Sequence, residues 1–488
     1  MTQVNEILQS LADMGVRPSG VADDSRQVLP GDVFLAYPGD LADGRRYIAA
    51  AIAKGAVAVV WQPGGDFVWD ASWQVPNLPQ AALRALAGPL AHVVHACPSE
   101  RLSLIAITGT NGKTTISQCL ARAYPQPCAI IGTLGAGLPD ALVDTGFTTP
   151  EATTLMRYLA QFCAQGAAAC ALEASSIGIE EGRMNGAKVD VAVVTNLTRD
   201  HLDYHGTMEA YAAAKEKLFR WPGLRLAIIN LDDPFGGVLR SATTAETVLA
   251  YAIGECAGVQ IRAEGLQETA QGQVFSLVLP DGQATVRTTL VGRYNIHNLL
   301  AVAGVLHDLG LPVSEVAQRL MALTPPPGRM ERLGGVGEPL VVIDYAHTPD
   351  ALANALQALR GVAQARAGRL HVVFGCGGDR DSGKRPEMGQ IAESLADRAL
   401  VTSDNPRRED PLAIMAQIAQ GMRAPQLEVD RAQAIRQAIL AADAQDVVLL
   451  AGKGHEPYQE IAGVRHPFSD TEQAQAALAA RHHAQELV

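Results

Sequence analysis

Thr108-Gly109-Thr110-Asn111-Gly112-Lys113-Thr114-Thr115 follows the apolar run Leu102 to Ile107 and precedes a helix-like segment from Ile116 to Ala123, so it reads as strand, loop, helix. Two glycines let the backbone turn tightly enough to aim successive N–H groups inward. The following helix offers the positive end of its dipole, and Lys113 adds a full charge. That is a cradle for a polyphosphate, with the hydroxyl next after the lysine, Thr114, as the expected Mg²⁺ ligand. The loop is shorter than the usual P-loop, which has Gly where this chain has Ile107, so the flanking strand and helix carry the reading.

Outward from the loop, apolar runs alternate with helical stretches as far as about Ala322, the pattern of a parallel sheet covered on both faces. Strands are expected at Leu102 to Ile107, Ala129 to Thr133, Ala168 to Glu173, Val189 to Thr195 and Leu226 to Asn230. Ligands on such a sheet bind beyond the strands' carboxyl ends. Glu173 ends one strand, and Asn196 through His201 to Asp203 follow another, so a carboxylate and an imidazole stand ready as ligands for a metal on ATP phosphates. Lys215, in the helical run Met208 to Phe219, reads from its neighbours Glu216 and Lys217 as a solvated residue. Val291 to Leu299 opens a helix with two asparagines, Asn295 and Asn298, suited to caps or to amide recognition of a base.

The bounds agree with this. A chain of 488 residues is too long for one core and suggests about three domains. Hydrophobic residues at 48% and charged residues at 18% describe ordinary α/β material. No apolar run approaches the ~20 residues of a membrane span, and Met1 to Ser10 lacks a basic start followed by an apolar block, so the protein is expected in the cytoplasm. Seven cysteines without paired spacing fit reduced, mostly buried thiols. A net charge of −12 argues against a nucleic-acid surface; anionic ligands need local cationic constellations.

The first ~100 residues, with Asp24-Ser25-Arg26, Pro30 to Ala36 and Asp43-Gly44, form a compact α/β unit whose polar signals sit in turns beside strands. Thr324-Pro325-Pro326-Pro327-Gly328 is stiff and marks the hinge into a third unit. There strands Leu340 to Tyr345, Leu370 to Gly375, Ala399 to Ser403 and Val447 to Ala451 alternate with helices. Gly375-Cys376-Gly377-Gly378-Asp379 lacks the full dinucleotide fingerprint and is discounted as one.

Taken in order, the loop 108–115, Glu173-Ala174-Ser175-Ser176, Asn196 through His201, Lys215, Asn295, Pro327-Gly328-Arg329-Met330-Glu331 and Asp344 through Pro349 resemble the ATP-dependent Mur ligases of peptidoglycan synthesis. The resemblance implies an α/β protein of three domains: 1–100 binding a UDP-muramoyl substrate, a central P-loop ATPase sheet at 101–327, and a Rossmann-like amino-acid domain at 328–488. It implies ATP held by Gly109, Thr110, Asn111, Gly112, Lys113, Thr114, Thr115, Asn295, Arg329 and Asp344, and Mg²⁺ held by Thr114, Glu173 and His201. Lys215 would be carbamylated and serve a second Mg²⁺; Lys113, Lys215 and His201 would be the catalytic group.

The substrate end carries over in the same way. Ser25, Thr148, Thr149, Ser175 and Arg183 match positions that bind UDP-N-acetylmuramoyl-L-alanyl-D-glutamate. Arg380, Asp404, Asn405, Arg407, Gly452 and Glu456 resemble a pocket for meso-2,6-diaminopimelate, which points to the third-step ligases. Two departures stand out: the family's Ser-Ser-His-Gly is Ser175-Ser176-Ile177-Gly178 here, and Glu181 falls where a glutamine is usual. Rival readings are a lysine-adding or D-alanyl-D-alanine-adding ligase, a folylpolyglutamate synthetase, or a P-loop regulatory protein that binds nucleotide without chemistry.

Overall fold

The strand Ser103–Thr108 lies near the middle of a ten-stranded sheet, and its position decides where the chemistry can occur. The computed structural model describes residues 2–39, 42–269 and 272–485. Ser103–Thr108 pairs in parallel with Ala169–Glu173 on one side and Val191–Val194 on the other. The parallel part continues through Cys128–Gly132 in one direction and through Leu226–Asn230, Thr247–Ile253 and Ile261–Thr269 in the other. Because the central strands share one direction, the loop after Thr108, the carboxylate of Glu173 and the segment after Val194 all emerge at the same edge. The continuous apolar runs form strands buried on both faces, as expected of a covered parallel sheet.

Sequence reading missed both margins of this sheet. Gly272–Leu279 and Gly282–Thr288 add an antiparallel hairpin at one edge, and Gly135–Gly137 folds back on Cys128–Gly132 at the other. Ile261–Thr269 and Gly282–Thr288 are half exposed and carry charged, Gln and Gly residues, so their pattern lacks the apolar run that marks the inner strands.

The amino-terminal segment forms a four-stranded parallel sheet of Gly20–Ala22, Asp32–Ala36, Ala58–Trp61 and Asn77–Pro79. One apolar core runs from Val4, Ile7 and Leu11 through Val33 and Leu35 into Leu104, Leu155 and Leu172, so this sheet is welded to one face of the central one. The helices Lys113–Ala123, Arg293–Asp308 and Val313–Met321 cover the opposite face. After the proline-rich stretch, which forms neither helix nor strand, comes a six-stranded sheet. Its parallel part orders Leu340–Asp344, Val447–Ala451, Leu370–Phe374, Arg398–Val401 and Gln426–Leu427, with Glu331–Leu333 antiparallel at the edge. Helices pack on both faces.

Cys119, Cys128, Cys170 and Cys376 are buried free thiols, in keeping with the reduced state expected. No helix among the described residues is long and apolar enough to cross a membrane.

The third sheet is closed by an ion pair with no access to water: Arg431 donates to Asp470 at 2.6 and 2.7 Å and also to the Ala451 carbonyl at 3.1 Å, with both charged side chains 0% exposed. Removing one partner of such a pair strands the other charge in a low dielectric. Asp470→Asn is therefore expected to cost about 3–5 kcal/mol in urea unfolding; a loss under about 1 kcal/mol would contradict this account of the domain.

Candidate active site

The carboxyl edge of the central sheet faces the carboxyl edge of the third across a cavity of about 440 Å³. Lys113, Glu173, His201 and Lys215 line it from one side, Arg329, Asp344 and His347 from the other. The predicted ATP, metal and catalytic positions therefore meet in one place, although they come from distant parts of the chain.

The loop 109–112 is pressed against its neighbours. Gly109 and Gly112 have φ of +138° and +92°, and a Cβ at either would run into the Thr195 or Asn298 side chains. Thr195 donates to the Asn111 carbonyl at 2.6 Å, and Asn196 accepts from the Asn111 amide at 2.9 Å. The loop is thus shaped by the strand end beside it. Lys113 opens the helix Lys113–Ala123, and its ammonium turns back to the Gly109 and Thr110 carbonyls at 2.7 and 2.9 Å. Burial and the nearby Arg329 press its pKa below the ordinary lysine value, while Glu173 and Asp200 oppose them. A polyphosphate supplies the countercharge that such a buried cation lacks.

Glu173 is 1% exposed. Its carboxylate accepts from Thr114 at 3.0 Å, from the Thr133 hydroxyl at 3.0 Å and amide at 3.2 Å, and from Ser117 at 3.3 Å. A hydroxyl and a carboxylate this close, at the mouth of a phosphate-shaped loop, are the hard oxygen donors that Mg²⁺ takes. The donor set fits the metal.

Lys215 is fully buried on Met208–Phe219 and lies 4.4 Å from the Tyr211 ring centre. The solvated reading of this lysine is corrected. Tyr211, Ala214, Lys215 and Leu218 share the buried face at helical spacing, and that spacing was the signal available in the sequence. Burial, reinforced by the charge of Lys113 and opposed by Asp200, holds the Lys215 amine well below the usual lysine pKa and so favours its neutral form. His201 stands at a backbone φ of +54° and is pushed down to about 4 by burial, against the pull of Asp200. Burial alone would raise Asp200, but His347, His201 and Lys384 together hold it at about 2. Asp200 and His347, like Tyr211, were given no role of their own from the sequence. Asp200 meets His347 at 3.8 Å only because two domains close on each other.

Other contacts cross the same seam. Arg329 donates to the Thr114 hydroxyl at 3.2 Å and stacks on Tyr345 at 4.2 Å, leaving its buried Nη1 without a partner. Asn111 donates to Asp350 at 3.2 Å, Arg199 pairs with Asp381 at 3.1 Å, and Arg380 approaches Asp203 at 3.6 Å. Asp344 accepts from the Met330 amide at 2.8 Å, and burial raises its pKa against the pull of Arg329. Asn295, in the first turn of its helix, donates to the Val291 carbonyl at 2.8 Å and accepts from Asn298 at 3.1 Å; the N-cap position is Gly292, and no side chain caps the helix.

Thr148, Thr149, Ser175 and Arg183 line the cavity at its other end. Thr149 bonds to the Glu173 carbonyl at 2.7 Å and to the Ser175 hydroxyl at 2.9 Å. Ser25 is not among the lining residues; it sits in the turn between Asp24 and Arg26, which pair with each other at 2.7 Å. The neighbouring Asp23 accepts from Thr153 at 2.6 Å, which docks this turn on the helix Ala152–Ala164. A second, more open cavity of about 570 Å³ separates Pro38 and Gln62 of the amino-terminal unit from Glu181, Asn185 and Tyr204.

Arg380 reaches the main cavity, whereas Asp404, Asn405, Arg407, Gly452 and Glu456 form an adjoining cluster at the third sheet's carboxyl edge. Glu456 accepts from Asn405 at 2.7 Å, from Lys453 at 3.2 Å and from Tyr345 at 3.4 Å, which ties the cluster to the cavity wall. Burial, with the charge of Asp404, raises the Glu456 pKa. Lys453, which no role had been assigned, already neutralises it. Arg407 donates to the Gly378 carbonyl and is half-buried. Away from the site, His92, Cys97 and Glu100 bring possible donor atoms within 4.8 Å of one another, but the His92 Nε2 is taken by the Ser99 hydroxyl at 2.8 Å.

Comparison with known proteins agrees with this geometry. Family models match three successive segments: the Mur ligase family, catalytic domain, at residues 18–92; the Mur ligase middle domain at 107–306; and the Mur ligase, glutamate ligase domain, at 328–454. The chain is a Mur ligase. A UDP-N-acetylmuramoyl-L-alanyl-D-glutamate–2,6-diaminopimelate ligase of Chromobacterium violaceum is 49% identical over 96% of each chain. One of Pseudomonas aeruginosa is 50% identical over 94% of each. A solved structure bearing the same enzyme name superposes with a TM-score of 0.68 at 38% identity, covering 96% of both chains. A MurF ligase of Thermotoga maritima in complex with ADP shares the fold at 18% identity, with a TM-score of 0.65 over 96% of this chain and 99% of that one.

In this Mur ligase Arg329 is the cation that the third domain brings to the phosphate loop. Losing a charge-assisted hydrogen bond costs about 1.5–3 kcal/mol. Arg329→Ala is expected to raise the KM for ATP at least about tenfold while the melting profile is kept. An unchanged KM would remove Arg329 from the nucleotide site.

Proposed function

We propose that this Mur ligase adds meso-2,6-diaminopimelate to the D-glutamate γ-carboxylate of UDP-N-acetylmuramoyl-L-alanyl-D-glutamate, at the expense of ATP, in the cytoplasm. The observation that carries the reading is the single cavity joining the phosphate loop, the buried Glu173 and Lys215, and the Arg329 and Asp344 side of the third sheet. The names of relatives near 50% identity support the choice of substrates.

On this reading residues 1–100 hold the uridine diphosphate end through Ser25 and its turn, residues 101–327 hold ATP, and residues 328–488 present the amino acid. The cavity between the first two units suits the extended sugar nucleotide, with Thr148, Thr149, Ser175 and Arg183 aligning the dipeptide. A carboxylate is a poor electrophile, so its oxygen first takes the γ-phosphoryl group; the amine then attacks the acyl phosphate and phosphate leaves. Thr114, Glu173 and His201 would hold one Mg²⁺ and the carbamate of Lys215 a second, and bound there these ions would neutralise charge between the two anions. Lys113 and Arg329 steady the phosphates, and Asp344 accepts from ribose hydroxyls. Asn295 and Asn298 stand at the base of the nucleotide site. Phosphate release that requires both the UDP-dipeptide and an amino acid, tested over an amino-acid panel, separates this activity from the rival ligases and from a nucleotide-binding regulator.

Carbamylation converts Lys215 from a cation that repels metal to an anion that holds it. Lys215→Ala is expected to lose most ligase activity and to regain part of it with added short carboxylic acids; full activity without them would refute the carbamate.

Specificity rests on Arg407. Diaminopimelate carries a second carboxylate that lysine lacks, and a guanidinium pairs with it bidentately or is left short of a countercharge without it. Asn405, Asp404, Gly452 and Glu456 form the remainder of that pocket, with Arg380 at its mouth. Arg407→Ala should cut the diaminopimelate-over-lysine ratio of kcat/KM about a hundredfold. A wild type that prefers lysine, or a variant that keeps the preference, overturns the assignment.

A further inference from the structure

Glu181 stands between the two cavities, and its carboxylate is the main partner of Arg183. Arg183 Nε and Nη2 meet Glu181 Oε2 at 2.8 and 2.6 Å. Nη1 donates to the Thr149 carbonyl at 2.9 Å, and the guanidinium covers the Phe147 ring at 5.1 Å. A second carboxylate, Glu151, comes within 3.3 Å of the same guanidinium. The other oxygen of Glu181 accepts from Tyr204 at 3.4 Å, on the side of the second cavity.

The charges at this corner do not balance toward an acidic ligand. One guanidinium faces two carboxylates, and both Glu181 and Arg183 are largely withdrawn from water, at 17% and 14% side-chain exposure. Burial, helped by Asp23 and Glu181, raises the Glu151 pKa against the pull of Arg183 and, more weakly, of Arg84. The muramoyl-dipeptide brings carboxylates and a diphosphate. To use Arg183, it must first take the place of the internal carboxylate.

We propose that Glu181 is an internal stand-in for the substrate's anion: it keeps Arg183 aligned in the free enzyme, gives way when the acidic muramoyl-dipeptide arrives, and thereby sets the affinity for that substrate. Glu181 is a positioning residue, since it acts through Arg183. The inference rests on the proposed muramoyl-dipeptide site. A glutamine here would hold Arg183 through its amide oxygen but remove the charge that opposes the ligand.

The test is calorimetric titration of the full-length protein with UDP-N-acetylmuramoyl-L-alanyl-D-glutamate, for wild type and Glu181→Gln, at low and at about 0.5 M salt. The variant is expected to bind about fivefold more tightly at low salt. Because Glu181 and Arg183 are largely withdrawn from water, salt screens them only in part and the advantage should keep its sign at high salt. Weaker or unchanged binding of the variant at either salt overturns the proposal. Because the titration needs no turnover, a wild type that binds the nucleotide but fails to ligate it refutes the proposed reaction while the role of Glu181 is still decided.

Discussion

Two anions must meet in this cavity, a triphosphate and the carboxylate to be phosphorylated, and the incoming diaminopimelate adds carboxylates that only its own ammonium groups balance. The fold answers that repulsion by collecting cations at the carboxyl edges of two facing parallel sheets. Lys113 comes from the central sheet, Arg329 and Arg380 from the third, and Glu173 sits among them buried and bonded from several sides. Burial first, and the neighbouring cations after it, press Lys113 and Lys215 below the usual lysine pKa.

The two sides of the cavity touch where that charge is gathered. Arg329 on Thr114, Asn111 on Asp350 and Asp200 near His347 are all contacts between the central and third domains. Each involves the phosphate loop or its immediate neighbours, so nucleotide in that loop acts on both sides of the seam. The amino-terminal sheet behaves differently. It shares one apolar core with the central domain, and Arg157–Asp32 at 2.7 Å and Thr153–Asp23 fasten it there.

Much of this was legible in the residues. Leu226 to Asn230 and Val447 to Ala451 appear as strands with the bounds expected, and other inner strands differ by one or two residues, because an unbroken apolar run means burial on both faces. Glu173 was found because it terminates such a run. The edge hairpin 272–288 was hidden by its mixed pattern, and Lys215 by its charged neighbours, although Tyr211, Ala214 and Leu218 shared its face. Asp200 with His347 depends on two domains meeting and leaves no local trace, whereas Lys453 and Glu456 are neighbours in one loop and reach Asn405 only through the fold of the third sheet.

On the proposed mechanism the carboxylate is activated by phosphorylation before the amine attacks. The direct measurement uses UDP-muramoyl-dipeptide labelled with oxygen-18 in the glutamate γ-carboxylate and follows the label through ligation by mass spectrometry. One labelled oxygen should pass to inorganic phosphate for each amide formed, the other remaining in the product carbonyl. Label in AMP, or phosphate that carries none, would contradict the acyl phosphate route.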